Sequence, residues 1–419
     1  MSVDRRAVLS VAVLLVLGVF VGIGYWYESQ QKAPSQAGDT ATIAVTSGAD
    51  RGAGTLREAL FIAAAAKGPS TISLRVPTIT LASALPPIVA QGVRVVAVKA
   101  PVGIDASALP SGPVLDVASP NVSIQGVDIR NCKGSAVLLR AAKFRLEAAT
   151  IQACDVGVDV ADNASEVLLE RNRFVSNRVG VRFSSSNQNA SVVKNEFAGH
   201  RDAGVWAVRG APDARTDPVS IRDNRFTSER IGVLAANVTL AIERNDFLNA
   251  REAAMQVMGA GAVIRGNRIS GGAAMGIVAE NARGTVIEAN EIDGVTAYGV
   301  MLKSSADALV QRNRVHNSGY GLAFVLGGSP STALDNTIIE PKFNGIDVIG
   351  DSPVLRNNTV VRPRALALKT QDFKAPDGST VRSQPFLEGN NFDARGLVIA
   401  ASNEAAPREA VPRREESAR

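Results

Sequence analysis

The sequence is poor in the residues on which several large classes of protein depend. Among its 419 residues are two cysteines, two histidines and two tryptophans, and only 5% are aromatic. A chain with two cysteines cannot be a disulfide-rich scaffold, and two histidines are too few for a typical metal site built from imidazole groups. The 45 basic and 40 acidic residues give a net charge of +5, which is too weak and too dispersed for a nucleic-acid-binding surface. We therefore predict no metal, no cofactor and no nucleic-acid partner.

The residues that are abundant indicate a stacked all-β protein. Hydrophobic residues make up 46% of the chain, and most of them are Val, Ile, Leu and Ala, so the chain is not disordered throughout. Its 37 glycines and many asparagines indicate numerous tight turns rather than long helices.

The amino terminus has the pattern of a membrane signal anchor. Arg5 and Arg6 precede an uncharged apolar run over 7–23, which aromatic residues close. Such a run is long enough to span a bilayer, and the basic residues before it place the amino end in the cytoplasm. We predict a retained single-pass anchor over 1–27; a cleaved signal peptide and a twin-arginine export signal are the alternatives. A polar linker over 28–42 then leads to a domain outside the cytoplasm, which in a Gram-negative bacterium means the periplasmic side of the inner membrane.

One repeat fills most of the remaining chain. An alternating apolar strand is followed by Asn-x-apolar, a short turn and Gly-apolar-x-apolar, and most steps are 21 to 23 residues long. The repeated asparagines are Asn172, Asn195, Asn224, Asn245, Asn267, Asn290, Asn313, Asn336, Asn358 and Asn390. Three short strands per coil predict a single parallel β-helix over 43–401, with its coils about 4.8 Å apart. The charged segment 402–419 is predicted to be a disordered tail.

This winding predicts that equivalent residues of successive coils stack in columns. The asparagines form a buried amide ladder, and an inward apolar column that contains Phe174 and Phe197 follows two residues later. Between them, Arg173, Glu196 and their equivalents face solvent with alternating charge, and each opposite-sign pair stabilises the sheet by a few tenths of a kcal/mol. The hypothesis fails if Arg173 and Glu196, or Phe174 and Phe197, lie far apart.

The start of the domain carries a second signal. Thr55 and Glu58 have the spacing of a capping box, which predicts a helix over about 55–67 that covers the open first coil. The run Thr-Leu-Arg-Glu-Ala-Leu from Thr55, followed by Ile72-Ser-Leu and Leu85-Pro-Pro-Ile, resembles the amino-terminal cap of exported bacterial right-handed β-helix proteins. The Asn-x-apolar and Gly-apolar coils resemble the repeats of the pectate-lyase-like superfamily. The resemblance covers about 43–400 and implies a right-handed parallel β-helix with three short sheets.

The resemblance implies a fold rather than an activity. The superfamily holds polysaccharide lyases, sugar hydrolases, uronate epimerases, adhesins and non-catalytic scaffolds. The acidic and histidine motifs of polygalacturonase-type hydrolases, the Asp-Pro-His of alginate epimerases and the calcium cluster of pectate lyases are missing from the sequence. Substrates in this superfamily usually cross the outward face of the sheet that follows the turn. Here that column reads Asp159, Arg182, Trp206, Leu234, Gln256, Val278, Met301, Ala323, Asp347 and Lys369.

The two ends of this column are polar and supply two candidate sites. Patch one consists of Asp159, Arg182, Trp206 and, on a neighbouring loop, Arg215. An exposed indole is a platform for a sugar ring, so we predict that patch one binds substrate. The alternative is an ion pair beside a tryptophan that packs under the loop.

Patch two combines one acid with cationic, imidazole and phenol groups. Its predicted catalytic residues are Lys369, Asp347, Arg364, Lys342, His316 and Tyr320. These groups resemble those that carry out β-elimination or epimerisation, which need a base and a group that neutralises the substrate carboxylate. The alternative is an ion pair beside basic turns.

The two cysteines, Cys132 and Cys154, lie one coil apart in the predicted register. Stacked Cα atoms at this spacing fall within disulfide range, so a bridge in an oxidising compartment and two buried thiols are both open.

The whole pattern predicts a membrane-anchored, periplasm-facing β-helix protein that binds a cell-envelope or exported polysaccharide. As a lyase or epimerase it would also modify that polymer. The predicted partners are the polysaccharide, the inner membrane through the amino-terminal helix, and envelope or export-machinery proteins. The alternative is a non-catalytic scaffold or adhesin-like rod in the cell envelope.

Overall fold

A computed structural model describes residues 40–393, apart from 67, 100, 163, 185–188 and 210–217. The predicted anchor over 1–27 and the predicted tail over 402–419 lie outside the described residues. In the part of the chain that is described, no helix is both long and apolar enough to cross a membrane.

Three parallel sheets run the length of the domain, and successive strands of the chain belong to the first, second and third sheet in turn. The first sheet has 15 strands: Ala41–Val45, Ser70–Leu74, Arg94–Ala97, Ser123–Gln125, Phe144–Glu147, Val167–Glu170, Ser191–Val193, Val219–Arg222, Leu240–Glu243, Ala262–Arg265, Val286–Glu288, Leu309–Gln311, Thr332–Leu334, Val354–Arg356 and Phe386–Glu388. The second sheet has 14: Thr78–Thr80, Val102–Asp105, Val127–Arg130, Thr150–Gln152, Arg173–Val175, Glu196–Ala198, Arg225–Thr227, Asp246–Leu248, Arg268–Ser270, Glu291–Asp293, Arg314–His316, Thr337–Ile339, Thr359–Val361 and Asn391–Phe392. The third sheet has 12: Leu115–Val117, Ser135–Leu139, Val156–Val160, Val179–Phe183, Ala203–Val208, Ile231–Ala236, Ala253–Met258, Met275–Glu280, Tyr298–Lys303, Tyr320–Val325, Ile346–Ile349 and Leu368–Gln371.

Each strand pairs with the equivalent strand of the next coil, so the predicted parallel β-helix is confirmed. Arg173 pairs with Glu196 and Phe174 with Phe197 in the second sheet, as the columns require. The alternating charges continue in register along this sheet as far as Arg314. Arg173 and Glu196 form an exposed ion pair, with 3.8 Å between Nε and Oε2.

The asparagine ladder is buried and connects every coil from Asn172 to Asn390. The backbone N–H of Asn172 donates to Oδ1 of Asn195 at 2.8 Å, and Nδ2 of Asn172 donates to the same oxygen at 3.0 Å. Nδ2 of Asn172 also donates to the carbonyl oxygen of Leu146 on the coil before, at 2.9 Å. The same three contacts recur at later steps, so each amide joins three coils.

The apolar column beside the ladder forms the core. Phe174, Phe197, Phe226 and Phe247 stack with ring centroids 4.9, 4.7 and 4.6 Å apart. These distances match the rise of about 4.8 Å between paired strands. Buried isoleucines and valines extend the column beyond Phe247.

One helix lies at the first coil and spans Leu56–Ala65. The backbone N–H of Glu58 donates to Oγ1 of Thr55 at 3.3 Å, and the Glu58 carboxylate accepts from the N–H of Gly54 at 2.6 Å. The helix buries Leu56, Ala59, Leu60 and Ala63 and packs against the first two strands of the first sheet.

Substitution of one ladder asparagine should destabilise the whole domain. Asn267→Ala removes an acceptor for two donors of Asn245 and a donor to the carbonyl oxygen of Ile242, all of them buried. Buried polar groups left without partners cost about 1 to 3 kcal/mol each, so we expect a loss of more than about 3 kcal/mol in the free energy of unfolding. Urea unfolding followed by circular dichroism measures this loss. The exposed neighbour Arg268 provides the control: if Arg268→Ala costs as much, the ladder is not a main source of stability.

Cys132 and Cys154 are joined by a disulfide in the structure, with their Cα atoms 4.2 Å apart. Their column continues on the next coils with three buried polar residues, Asn177, His200 and Glu229. Oδ1 of Asn177 accepts from the N–H of Cys154 at 2.8 Å, and Nδ1 of His200 lies 2.8 Å from Oε1 of Glu229.

The disulfide predicts a redox-dependent stability. Closing a loop of 22 residues stabilises a chain by up to about 3 kcal/mol relative to the open unfolded state. Purified protein should therefore be two hydrogens lighter in non-reducing mass spectrometry, and reductant should lower its unfolding midpoint. The Cys132→Ser, Cys154→Ser double variant is the control and should not respond to reductant. Two free thiols in the purified protein would contradict the bridge.

Candidate functional site on the third sheet

The outward column of the third sheet has the predicted register, from Asp159 to Lys369. Four members of this column, Asp159, Val278, Ala323 and Asp347, are buried. The middle of the column is apolar, as expected.

Patch one is dominated by an ion pair. The Arg182 guanidinium donates to both oxygens of Asp159, with Nε 2.8 Å from Oδ1. Trp206 is half-buried and pairs in register with Arg182 on the next coil. The prediction for Arg215 falls outside the described residues. The carboxylate of Asp159 is fully engaged by Arg182, so the described part of patch one offers an indole but no available acid.

Asp347 and Lys369 are register partners at the centre of patch two. Asp347 is 4% exposed, and its Oδ1 accepts from Nδ2 of Asn344 at 2.8 Å. Burial raises the pKa of the Asp347 carboxyl, while the Asn344 hydrogen bond and the charge of Lys369 oppose this rise. Asn344 is itself fixed, because its Oδ1 accepts from the N–H of Leu366 at 3.2 Å. Asp347 is thus a pre-positioned carboxyl group that can exchange a proton closer to neutral pH than an exposed aspartate.

An aromatic ladder borders Asp347 and includes two residues that the sequence analysis missed. Tyr298, Tyr320 and Phe343 lie on three successive coils, with ring centroids 4.7 and 5.0 Å apart. The two tyrosines are half-buried and Phe343 is 50% exposed. Burial, followed by the charge of Asp347, raises the pKa of the Tyr298 hydroxyl, so this group is a proton donor and not a phenolate base.

The cations of patch two, Lys342, Arg364 and Lys369, have no ion pair with another described residue. Some Arg and Lys side chains of the middle coils do pair with carboxylates on adjacent coils, as Arg178, Arg244 and Lys303 do. Lys342 and Arg364 are on neighbouring turns, since the N–H of Arg364 donates to the carbonyl oxygen of Pro341 at 3.0 Å. These charges therefore remain available to an anionic ligand.

Two carboxylates at the ends of second-sheet strands lie close to the imidazole of His316. Its Nδ1 lies 3.2 Å from Oδ1 of Asp293, and its Nε2 lies 3.5 Å from Oε2 of Glu340. His316 ends a strand of the second sheet, whereas Asp347 lies in the third sheet. The structure thus groups His316 with an ion-pair cluster that also contains Arg362, and it groups Tyr320 with the aromatic ladder.

The segment between the third sheet and the last strand of the first sheet forms a small hairpin beside this site. Phe373–Lys374 pairs antiparallel with Thr380–Val381. The hydroxyl of Ser383 ties the hairpin down, accepting from the N–H of Gly350 at 2.7 Å and donating to the carbonyl oxygen of Gln371 at 2.6 Å.

Comparison with known proteins agrees with this architecture. The sequence matches the family model described as the right handed beta helix region over residues 110–217 and 213–360. The chain belongs to the right-handed β-helix family. No curated protein matches the sequence significantly.

Solved structures of several carbohydrate-active enzymes resemble the protein. They include the A-module of the mannuronan C-5 epimerase AlgE6 of Azotobacter vinelandii, with 14% identity and a TM-score of 0.51 over 84% of this chain and 99% of that chain. A family PL6 polysaccharide lyase from Pseudopedobacter saltans has 12% identity and a TM-score of 0.46 over 80% and 91% of the two chains. The catalytic unit of a GH87 alpha-1,3-glucanase from Streptomyces thermodiastaticus has 12% identity and a TM-score of 0.48 over 86% and 70%. At these identities the likeness shows the fold alone.

The buried carboxyl of Asp347 predicts a pH-dependent stability. Its folded pKa lies above its unfolded pKa, so wild-type stability should fall as the pH rises from the ordinary aspartate range, about 4, through the raised value. Asp347→Asn keeps an acceptor for Asn344 without a charge. We expect the variant to unfold at a higher urea concentration than wild type at pH 7, with the difference shrinking below about pH 4.

A control with the opposite sign is available in the hairpin. The hydrogen bond from Ser379 lowers the pKa of the exposed Asp377, so Asp377→Asn should lose stability at pH 7 and match wild type in acid. An Asp347→Asn difference that stays constant with pH would contradict the assigned burial.

Proposed function

We propose that the protein binds a polysaccharide along the carboxy-terminal half of its third sheet. The observation that carries this proposal is the half-exposed ladder of Tyr298, Tyr320 and Phe343. Pyranose rings have apolar faces, and aromatic side chains offer them rigid apolar area at a small cost in conformational entropy. The hydroxyl tips of the tyrosines and the Asn344–Asp347 pair add the few polar groups that fix a ligand's orientation.

The charges beside the ladder favour an acidic polymer. Lys342, Arg364 and Lys369 have no ion-pair partner in the described chain and surround the aromatic surface on neighbouring coils and turns. Cations that are not already neutralised attract and orient carboxylates. We therefore propose a uronate-containing polysaccharide of the cell envelope or of an export route as the ligand.

The same group of residues supports modification of that polymer as an extension of the proposal. Asp347 supplies a carboxyl group that can exchange a proton, Tyr298 supplies a protonated phenol, and Lys369 supplies a cation for the substrate carboxylate. β-Elimination removes the C5 proton and expels the C4 oxygen, whereas epimerisation returns a proton to the opposite face of C5. Both reactions are consistent with this set of groups.

We also propose where the protein acts and what its first helix does. The uncharged run over 7–23 supports an anchor in the inner membrane, with the β-helix in the periplasm and in reach of envelope or export-machinery proteins. An oxidising periplasm agrees with a Cys132–Cys154 bridge. The helix Leu56–Ala65 acts as an end cap, because it covers the first strands of the first sheet.

A non-catalytic scaffold is the second candidate. It is favoured by the apolar middle of the third sheet, where Val278, Met301 and Ala323 succeed one another, and by the closed ion pair of patch one. A scaffold would use these coils as a rigid surface for another envelope component and would not recognise a sugar.

Binding measurements distinguish the two candidates. The full chain is screened on a glycan array that includes uronate polymers, and its best ligand is titrated by calorimetry. Tyr320→Ala and Phe343→Ala should each weaken binding about tenfold, which corresponds to about 1.4 kcal/mol for the loss of one stacking contact. Phe386→Ala removes a ring that is 40% exposed and lies beside Arg356, away from the ladder, and should have no effect. Absence of binding to every glycan would support the scaffold.

Turnover is tested separately by the absorbance of unsaturated products and by proton exchange at C5. If the polymer is modified, Lys369→Ala and Arg364→Ala should abolish turnover. Unchanged turnover in both variants would remove patch two from the catalytic proposal while leaving the binding proposal intact.

A further inference from the structure

The solvent-facing side of the first helix is apolar. The helix Leu56–Ala65 buries one face against the β-helix, and its exposed residues include Phe61, which is 59% exposed, and Ile62, which is 48% exposed. Ala64 and Ala65 complete this outer face. An end cap that met only water would gain solubility from charged residues here, so the composition indicates a contact with an apolar medium.

The charged groups of the same coils are mostly basic. Residues 41–99 contain six basic residues and two acidic ones, a net charge of +4 within a chain whose total is +5. Both acidic side chains already have partners within the domain. Oδ1 of Asp50 lies 2.7 Å from Nη2 of Arg57, and the carboxylate of Glu58 accepts a hydrogen bond from the backbone N–H of Gly54. Among the described residues of these coils the exposed basic ones are Arg51, which also pairs with Asp50 at 3.5 Å, and Arg75, Arg94 and Lys99.

This inference rests on the anchor over 1–27 proposed above. The first strand begins at Ala41, and the helix packs against that strand. Only 13 residues, 28–40, separate the proposed anchor from the strand. A chain of that length spans at most about 45 Å.

From these three observations we propose that the capping helix docks on the surface of an anionic phospholipid bilayer. Phe61 and Ile62 enter the interface between headgroups and acyl chains, and the exposed arginines and lysine of the first coils face the anionic headgroups. An apolar face combined with basic charge on the same end of the domain is the combination by which interfacial segments bind anionic membranes. The docking would orient the solenoid relative to the membrane and is independent of the glycan site at the other end.

Fluorescence quenching by brominated lipids tests the docking in the full chain. Trp26→Phe and Trp206→Phe give a background without native tryptophan, into which Phe61→Trp or Phe386→Trp places a single reporter. Phe386 is also exposed but lies in the last strand of the first sheet, at the opposite end. Each protein is incorporated into vesicles of brominated phosphatidylcholine, with or without phosphatidylglycerol.

The Phe61→Trp reporter should be quenched at least about twofold more than the Phe386→Trp reporter, because only the first enters the acyl boundary. Phosphatidylglycerol should increase the quenching, and Arg51→Glu with Arg75→Glu should remove that increase. An unquenched reporter at position 61, or equal quenching at both positions, would overturn the proposal. Indifference to phosphatidylglycerol would overturn its electrostatic part. A third outcome would assign this face to a second copy of the chain and overturn the proposal. In that case the reporter is not quenched, the protein forms concentration-dependent dimers, and Ile62→Lys dissociates them.

Discussion

The vertical register of the coils depends on the asparagine ladder more than on any other interaction. The side-chain Nδ2 of each ladder asparagine donates to a carbonyl oxygen of the preceding coil. Its Oδ1 accepts two hydrogen bonds from the asparagine of that preceding coil, and all these distances are near 2.9 Å. A slip of one residue in any coil would break these bonds and turn each side chain of the strand to the opposite face. The apolar stack from Phe174 to Phe247 would tolerate small shifts, because dispersion between rings falls off gradually, whereas a buried amide without its partners would not. The ladder therefore fixes which residues can meet on the outer faces.

This constraint explains where the chain accommodates extra residues. Two steps of the ladder are long, from Asn195 to Asn224 and from Asn358 to Asn390. In both, the strands of the first and second sheets still pair in register with those of the preceding coil. In both, a longer connection follows a third-sheet strand and precedes a first-sheet strand: 209–218 in one coil and 372–385 in the other. The described one of the two, 372–385, forms the hairpin near patch two. The extra residues of both coils therefore fall at the same point of the winding, between the third sheet and the first.

Most of the fold could be predicted because one rule repeats in every coil. The spacing of the asparagines was enough to pair Arg173 with Glu196 and Asp347 with Lys369. The aromatic ladder could not be found in this way, because Phe343 stands one position before the slot of Tyr298 and Tyr320, which Asn344 occupies. Burial of outward residues such as Asp347 also depends on how neighbouring side chains lean, which a periodic pattern does not contain. Many turn residues adopt left-handed backbone angles without being glycine, as Ala289 and Arg312 do at φ of 52° and 54°, so glycine spacing alone marks only some turns.

The coil geometry also determines what the candidate site can recognise. The rings of Tyr298, Tyr320 and Phe343 are about as far apart as the coils themselves, so their stacking follows from the backbone rise and persists without a ligand. A ligand that binds there meets an aromatic surface whose conformational entropy was lost on folding, which lowers the cost of association. Asn344 directly follows Phe343 of the ladder, and its hydrogen bond to Asp347 connects that carboxyl to the ladder. In this solenoid, pre-organisation of the proposed site is a direct consequence of the fold, and Lys342, Arg364 and Lys369 beside the ladder would supply the proposed preference for an acidic ligand.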